Sequence, residues 1–303
     1  MSRRSGPQGG AGRRPSRPRQ AERAAAKRRA EAAANKPQDP PERVQRLLSR
    51  LGLGSRREIE GWISEGRLHI NGEPAAVGAQ ATANDRFELD GKPLRLRHQA
   101  PPRVLVYRKR VGEVVSRNDP QQRHTIFERL PRLQGGRWIA VGRLDINTSG
   151  VLLVTNDGEL AARLMHPSYE IEREYAVRVL GGLSESALQQ LREGVMLDDG
   201  LARVTSIRPE TDPDRSVANH WYRLSLAEGR NREVRRMIEA VGGQVSRLLR
   251  VRYGPVEVPR GVASGRSRDL TAEEFAAVYE AVGLAVPQRE EKRGRQARSR
   301  GPG

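Results

Sequence analysis

Three side chains that suit a metal-free reaction lie in separate segments of this 303-residue sequence. Asp145 is in GRLDINTSGVLLVTN (142–156), at the point where an apolar strand should begin. Arg235 is in EGRNREVRRM (228–237), and Tyr175 is in EREYAVRV. A carboxylate in a cleft stays ionised beside an arginine, because the guanidinium charge never titrates. This set therefore predicts chemistry that needs neither a metal nor a cofactor.

A purely structural explanation of Asp145 stays open at this stage. The residues INTS (146–149) predict a turn between two strands. An Asp at such a position commonly accepts hydrogen bonds from turn amides, here those of Asn147 and Thr148. The spacing alone does not decide between this role and catalysis.

The elements that must position these residues run from Arg103 to about Leu284. Short segments rich in Val, Ile and Tyr predict strands: RVLVYRKRVGEVVS, RWIAVGRLD, GVLLVTN, REYAVRVL, ARVTSIRPE and HWYRLSLAEG. Longer segments with helical periodicity predict helices: GELAARLM, SESALQQLREG, NREVRRMIEAVG and TAEEFAAVYEAVG. Irregular alternation of this kind predicts an α+β catalytic domain over residues 103–286, with a mostly antiparallel mixed sheet.

A smaller unit is predicted over residues 41–98, between the break KPQDPP and the linker HQAPPR. It begins with two short amphipathic helices separated by the turn Gly52–Gly54, with Ser55 as the predicted N-cap of the second helix. Two hairpins follow, at Asn71-Gly72 and at Asp90-Gly91, which are strong signals for two-residue turns.

The two ends of the chain are basic arms. Residues 1–40 carry 11 Lys/Arg against 3 Asp/Glu and residues 287–303 carry 6 against 2, so most of the net charge of +18 lies there. With almost no large apolar side chains, both arms are predicted to be disordered. Clustered basic residues favour a nucleic-acid partner. The absence of cysteine, of a signal-peptide core and of a long apolar stretch favours a cytoplasmic protein that does not enter a membrane.

The N-terminal unit resembles the S4 RNA-binding module. The resemblance rests on the two small helices, the turn GSRRE and the hairpin GRLHING. It implies that Arg56, Arg57 and the strand that begins at Arg67 contact RNA phosphates, by shape more than by sequence.

The second part resembles the pseudouridine synthases of the RsuA/RluB group. GRLDINTSGVLLVTNDGELAARLMHPS, EREYAV and EGRNREVRR carry the resemblance and occur in the expected order. It implies that Asp145 is the catalytic aspartate, as a nucleophile or as a base, that Tyr175 is the active-site tyrosine and that Arg235 pairs with Asp145. Further implied substrate contacts are Arg143, Arg230 and Val234, the last as the apolar wall beneath the base.

The predicted substrate is a uridine in ribosomal RNA. EREYAVRV, SRLLRVRYG (246–254) and the basic arms are most similar to large-subunit members of the group, which implies a 23S target, free or in a pre-ribosomal particle, and a monomeric enzyme. One alternative is a small-subunit (16S) specificity of the RsuA type. Another is an RNA-binding ribosome-assembly factor that keeps the fold without turnover.

Overall fold

The structure is a computed structural model that describes residues 40–96, 100–133, 135–210 and 218–288. The predicted arms therefore lie outside the described residues, apart from Pro40 and residues 287–288. The described helices are α1 (Val44–Arg50), α2 (Arg56–Ser64), α3 (Gly158–Met165), α4 (Glu185–Glu193), α5 (Glu233–Ala240) and α6 (Ala272–Glu280). Across these described stretches, no helix has the length and apolar character needed to cross a membrane.

The described strands are mostly short. They are β1 (Glu42–Arg43), β2 (Leu68–Ile70), β3 (Glu73–Pro74), β4 (Gln80–Ala81), β5 (Phe87–Leu89), β6 (Lys92–Pro93), β7 (Val104–Lys109), β8 (Ile139–Ala140), β9 (Thr148–Thr155), β10 (Arg173–Leu180), β11 (Val195–Leu197), β12 (Gly200–Ala202), β13 (Ser206–Pro209), β14 (Asn219–Leu226), β15 (Gln244–Tyr253), β16 (Val256–Glu257) and β17 (Ser267–Asp269).

The N-terminal module packs α1 and α2 against the small sheet β3-β2-β5-β6. Ser55 caps α2 as predicted, and Glu58 completes a capping box by reaching back to the Ser55 amide. Both predicted hairpins form. At the first, Asn71 and Gly72 have φ values of 53° and 92°, the two positive values that a type I′ turn requires.

The larger part is built on one sheet with the strand order β13-β14-β10-β15-β9-β7-β17. Its pairs are antiparallel except β15 with β9, which run parallel. Two short strands extend it, β8 on β9 and β16 on β15. The predicted α+β class with a mostly antiparallel mixed sheet is confirmed.

Both faces of the sheet are covered, because alternate residues of a strand point to opposite sides. On β7, Val104 and Val106 face the helices α3 and α6, whereas Leu105 and Tyr107 face a second layer that includes Trp138. The helices α4 and α5 cover the other half of the sheet, over β10 and β14.

Several predicted boundaries were wrong. RWIAVGRLD forms only the two-residue strand β8, so that Asp145 lies in a connection rather than at the end of a long strand. The predicted turn 146–149 is shorter, because β9 already begins at Thr148. The strand expected to end at Gly229 and Arg230 ends at Leu226. The ten-residue β15 was not predicted, because arginines at 247, 250 and 252 interrupt its apolar pattern.

Candidate active site

A cleft of about 1300 Å³ runs between the N-terminal module and the sheet. Small-molecule pockets usually measure about 300–1,000 Å³, so this cleft has room for more than one small ligand. Its lining comes from four places: the turn 52–58, the segment 114–127, the segment 137–148 and the loop 229–234, together with residues of β10 and β15. Asp145, Tyr175, Arg143, Arg230 and Val234 all lie on this lining.

Asp145 lies in the short connection between β8 and β9. Its backbone carbonyl, not its carboxylate, closes the turn by accepting the amide of Thr148 at 3.0 Å. Among the described contacts, the carboxylate accepts no hydrogen bond from the turn amides. In the described contacts, the Asp145 carboxylate therefore does not stabilise the turn. Asp145 lies on the cleft lining instead.

Lys109 binds the backbone of this connection, a role that the sequence analysis did not predict. Its fully buried side chain donates from Nζ to the carbonyl oxygens of Arg110, Asp145 and Thr148, each at 2.9 Å. Burial lowers the pKa of the ammonium from 10.5 to about 8, although Glu113 and Asp145 raise it in part. A lysine at the end of the apolar run VLVY was the available signal.

Arg235 lies in the first turns of α5, as predicted, and is almost fully buried. Its guanidinium donates to the carbonyl of Asn147 at 3.0 Å, two residues after Asp145. Burial and then Arg232 lower the pKa of Arg235, while Asp145 acts in the opposite direction. Within the described contacts it forms no salt bridge with Asp145, so its effect on the carboxylate is exerted at longer range than a direct pair.

Tyr175 and Val234 form the apolar part of the site. Tyr175 is on β10, opposite Arg250 of β15, and is 8% exposed. Val234 is in the first turn of α5 and packs in the same core cluster. An aromatic face and an aliphatic wall on one cleft can hold a flat ring between them.

Arg143 and Arg230 differ in how they are held. Arg143 is exposed on the cleft lining. Arg230 donates to the carbonyl oxygens of Gly200 and Leu201 at 3.1 and 2.7 Å and to Glu228 at 2.9 Å. These bonds tie the loop 229–234 to the hairpin β11–β12, so Arg230 positions the loop as well as lining the cleft.

The three arginines predicted on the N-terminal module are also not equivalent. Arg56 and Arg57 are exposed at the start of α2. Arg67 is engaged by Asp90 in a two-pronged contact, at 2.8 Å for each hydrogen bond, and by Glu65 at 2.9 Å. Arg67 must exchange these partners before it can contact a phosphate.

A buried carboxyl, Glu233, lies beside the cleft and was also missed. It is 3% exposed and accepts the amide of Arg230 at 2.9 Å. Burial, and then Glu228, raise the pKa of Glu233 from 4.5 to about 7. A carboxyl with a pKa near 7 changes its protonation around neutral pH, which makes this loop sensitive to pH.

The last glycine of the GRLD segment has a specific structural task. Gly150 (φ +112°) pairs with Arg250 where β9 and β15 run parallel. A Cβ atom at this position would collide with the Arg250 carbonyl oxygen. Only glycine lets β9, the strand that follows Asp145, approach β15 this closely. In the described ranges, no group of three or more His, Cys, Asp or Glu residues could hold a metal ion.

Comparison with known proteins gives the same two parts. Residues 103–240 match the RNA pseudouridylate synthase family, and residues 42–87 match the S4 domain. The chain is 51% identical to a Pseudomonas aeruginosa protein named ribosomal large subunit pseudouridine synthase B, over 80% of this chain and 63% of that protein. The match thus spans less than two thirds of that relative's length.

Two further similarities extend over most of the length of the matched protein. A Yersinia pestis protein with the same name is 49% identical, over 81% of this chain and 77% of that protein. A crystal structure of a pseudouridylate synthase superposes with a TM-score of 0.55 at 25% identity, covering 78% of this chain and 99% of that one.

Proposed function

The chain belongs to the RNA pseudouridylate synthase family, and on that basis we propose that it isomerises a uridine of large-subunit (23S) ribosomal RNA to pseudouridine. The relatives at about 50% identity carry the name of the large-subunit enzyme, which supports this target over a small-subunit one. The observation that carries the proposal is the Asp145 carboxylate, which the turn does not use, in a cleft lined by an aromatic ring and arginines.

The reaction exchanges one bond to the ribose for another. The N1–C1′ bond of uridine breaks, the uracil turns while it stays bound, and C5 bonds to C1′. The hydrogen at C5 leaves as a proton and N1 takes up a proton, so the product is an isomer of the substrate and no oxidant, reductant or second substrate is needed. Asp145 acts as an anion, either as a nucleophile at C1′ or as a base. Lys109 and Arg235 both interact electrostatically with Asp145.

A base inside a helix stack cannot reach such a site, so the uridine must be flipped into the cleft. We assign the face of Tyr175 to cover the flipped uracil and Val234 to form the wall on the other side. The arginines of the lining, among them Arg143, contact the phosphates on either side of the flipped nucleotide. The cleft volume of about 1300 Å³ supports a polymeric substrate rather than a free nucleoside.

We further assign residues 41–98 and 103–286 to an RNA-binding S4 domain and a catalytic domain. The enzyme acts in the cytoplasm, where bacterial ribosomal RNA is made and assembled. We also propose that it acts as a monomer.

Asp145→Asn tests the proposal directly. The amide keeps the shape and removes the anion, so the variant should fold and bind RNA but form no pseudouridine. The measurement is release of tritium from RNA labelled at C5 of uridine, since that hydrogen is lost in the reaction. Asp198→Asn is the matched control, because Asp198 is exposed on the β11–β12 hairpin and does not line the cleft.

Turnover by Asp145→Asn near the wild-type rate would refute the assignment. Sequencing of both ribosomal RNAs from a deletion strain then identifies the target: pseudouridine lost from 16S RNA only would replace the large-subunit proposal. No loss from either RNA, with binding intact, would favour an assembly factor.

A further inference from the structure

Three arginines from different parts of the chain converge where the N-terminal module meets the catalytic domain. Arg56 begins α2, Arg137 precedes β8 and Arg117 lies in the loop after β7. Arg137 and Arg117 line the cleft. Burial lowers the pKa of both Arg137 and Arg117. In addition, Arg56 lowers the pKa of Arg137, and Arg137 lowers that of Arg117. Arg137 is therefore close enough to both Arg56 and Arg117 to be repelled by each of them.

Little in the described structure neutralises this repulsion. Glu58 raises the pKa of Arg137, but its carboxylate also accepts the amide of Ser55 in the capping box. In the described part of the chain, the Nε atom of Arg137 is buried and has no hydrogen-bond partner. Arg117 donates to the carbonyl of Trp138 and lies 4.5 Å over the ring of Phe127, so that its position is fixed without an acid.

The junction that brings these arginines together is tight. Gly52 (φ +82°) packs on the backbone of Gly136, and a Cβ atom on Gly52 would lie 2.9 Å from the Gly136 carbonyl oxygen. A salt bridge of 3.2 Å between Arg46 and Glu159 joins the two parts a second time. Because Gly136 directly precedes Arg137, this contact sets the position of Arg137 relative to Arg56.

A preformed cluster of like charges is the arrangement that an anion stabilises. Guanidinium groups match the two oxygens of a phosphate, and an RNA strand carries one phosphate per nucleotide. Arg137 is eight residues before Asp145, so the two can be at most about 29 Å apart. An anion bound by the cluster thus lies within a few nucleotides of a uridine at Asp145.

We propose that Arg56, Arg137 and Arg117 together bind one backbone phosphate of the substrate RNA, and that this contact, shared by both domains, sets which uridine reaches Asp145. The inference rests on the proposed function for its substrate. It adds a site at the domain junction and a reason for the fixed placement of the N-terminal module. The segment 114–137 thereby gains a role in binding that its sequence did not indicate.

A double-substitution cycle tests whether one phosphate is shared across the junction. Arg56→Gln and Arg137→Gln should each weaken binding of a long 23S RNA fragment about tenfold. The pair together should also lose about tenfold rather than a hundredfold, because both arginines serve one phosphate. Arg57→Gln, on the same helix turn, should instead combine additively with Arg137→Gln.

The salt dependence of binding gives a second measure. Loss of one phosphate contact lowers the slope of log K against log salt by about 0.7–0.9. The single variants Arg137→Gln and Arg117→Gln and their combination should each show this one step. Arg208→Gln on β13 is the control for charge alone, since Arg208 is exposed and does not line the cleft. Its slope should match the wild type.

Modification assays complete the test, with thermal unfolding to establish that each variant is folded. The junction variants should lose modification of the long fragment far more than of a short hairpin with the same uridine. Additive losses, two steps in slope, no loss of binding, or equal losses on both RNAs would each overturn the shared phosphate. If the wild type binds the RNA but forms no pseudouridine, the proposed function fails while the binding cycle still tests the site.

Discussion

Lys109→Met tests how the fold holds Asp145 without touching the carboxylate. The wild-type ammonium is fully buried and donates to three carbonyl oxygens, those of Arg110, Asp145 and Thr148, at 2.9 Å each. Methionine has a similar length and fills a similar volume, but it has no donor and no charge. The substitution therefore removes the support of the connection and leaves its packing.

The expected change in stability is small because two effects oppose each other. Leaving a buried acceptor without its donor costs about 1–3 kcal/mol, and the Asp145 carbonyl keeps the Thr148 amide, so two carbonyls bear most of the loss. Against this, lowering the pKa of Lys109 from 10.5 to about 8 corresponds to a penalty of about 3 kcal/mol on the buried ammonium. We expect a net destabilisation of at most about 3 kcal/mol at pH 7, or roughly 6–12 °C in Tm.

Activity should fall much more than stability. A displacement of about 1 Å at a reacting group can cost about a hundredfold in rate, so we expect a loss of that order in kcat with little change in RNA affinity. Single-turnover tritium release measures the rate, and Lys92→Met, an exposed lysine on β6, is the control. A wild-type rate in a folded Lys109→Met protein would refute the positioning role.

The pH dependence gives an independent check on Lys109. Because its folded pKa is below its unfolded value, the unfolded chain binds more protons between about pH 8 and 10.5. Wild-type stability should therefore rise relative to Lys109→Met across that window. Wild-type activity should instead decline above about pH 8, as the ammonium loses one donor. Identical stability profiles for both proteins would contradict the pKa assignment.

Three other substitutions test separate parts of the site. Gly150→Ala should cost about 3 kcal/mol or more in urea unfolding, because the new methyl group meets the Arg250 carbonyl and the φ angle disfavours alanine; a wild-type midpoint would contradict this. Glu233→Gln should flatten stability between pH 4.5 and 7, where the wild type loses up to about 3 kcal/mol as pH rises, since its raised pKa makes the folded state bind more protons there. If thermal melts show the same slope of stability against pH in both proteins, the raised pKa of Glu233 is contradicted. Tyr175→Phe should lose single-turnover rate if the hydroxyl moves a proton, whereas a normal rate would limit Tyr175 to stacking.

Local signals in the sequence were sufficient for much of the N-terminal module and the helices. Ser55 begins a capped helix as predicted, and the Asn71-Gly72 turn forms, because each signal acts through a few neighbouring residues. The candidate residues Asp145 and Tyr175 were identifiable through long motifs, and the structure places both on one cleft. Their roles in catalysis stay predictions until the variants are measured.

Features that depend on contacts between distant segments could not be predicted in the same way. The strand β15 shows no clear alternation, and its place is fixed by the pairs Tyr175 with Arg250 and Arg250 with Gly150. The role of Lys109 depends on carbonyls 36 and 39 residues later in the chain. A short sequence window therefore contains no signal for the pairing of β15 or for the hydrogen bonds of Lys109.

The same argument explains why, among the described contacts, Arg235 donates to a backbone carbonyl and forms no salt bridge with Asp145. The motif places an arginine one helical turn into α5, but where its guanidinium ends depends on the connection that precedes β9. There the carbonyl of Asn147 faces Arg235 and accepts its hydrogen bond at 3.0 Å, since a buried donor needs a partner. With Lys109 donating to the carbonyls of Asp145 and Thr148, two cations hold the backbone of residues 145–148. Among the described contacts the Asp145 carboxylate has no hydrogen-bond partner, so its oxygens are available to a ligand bound in the cleft.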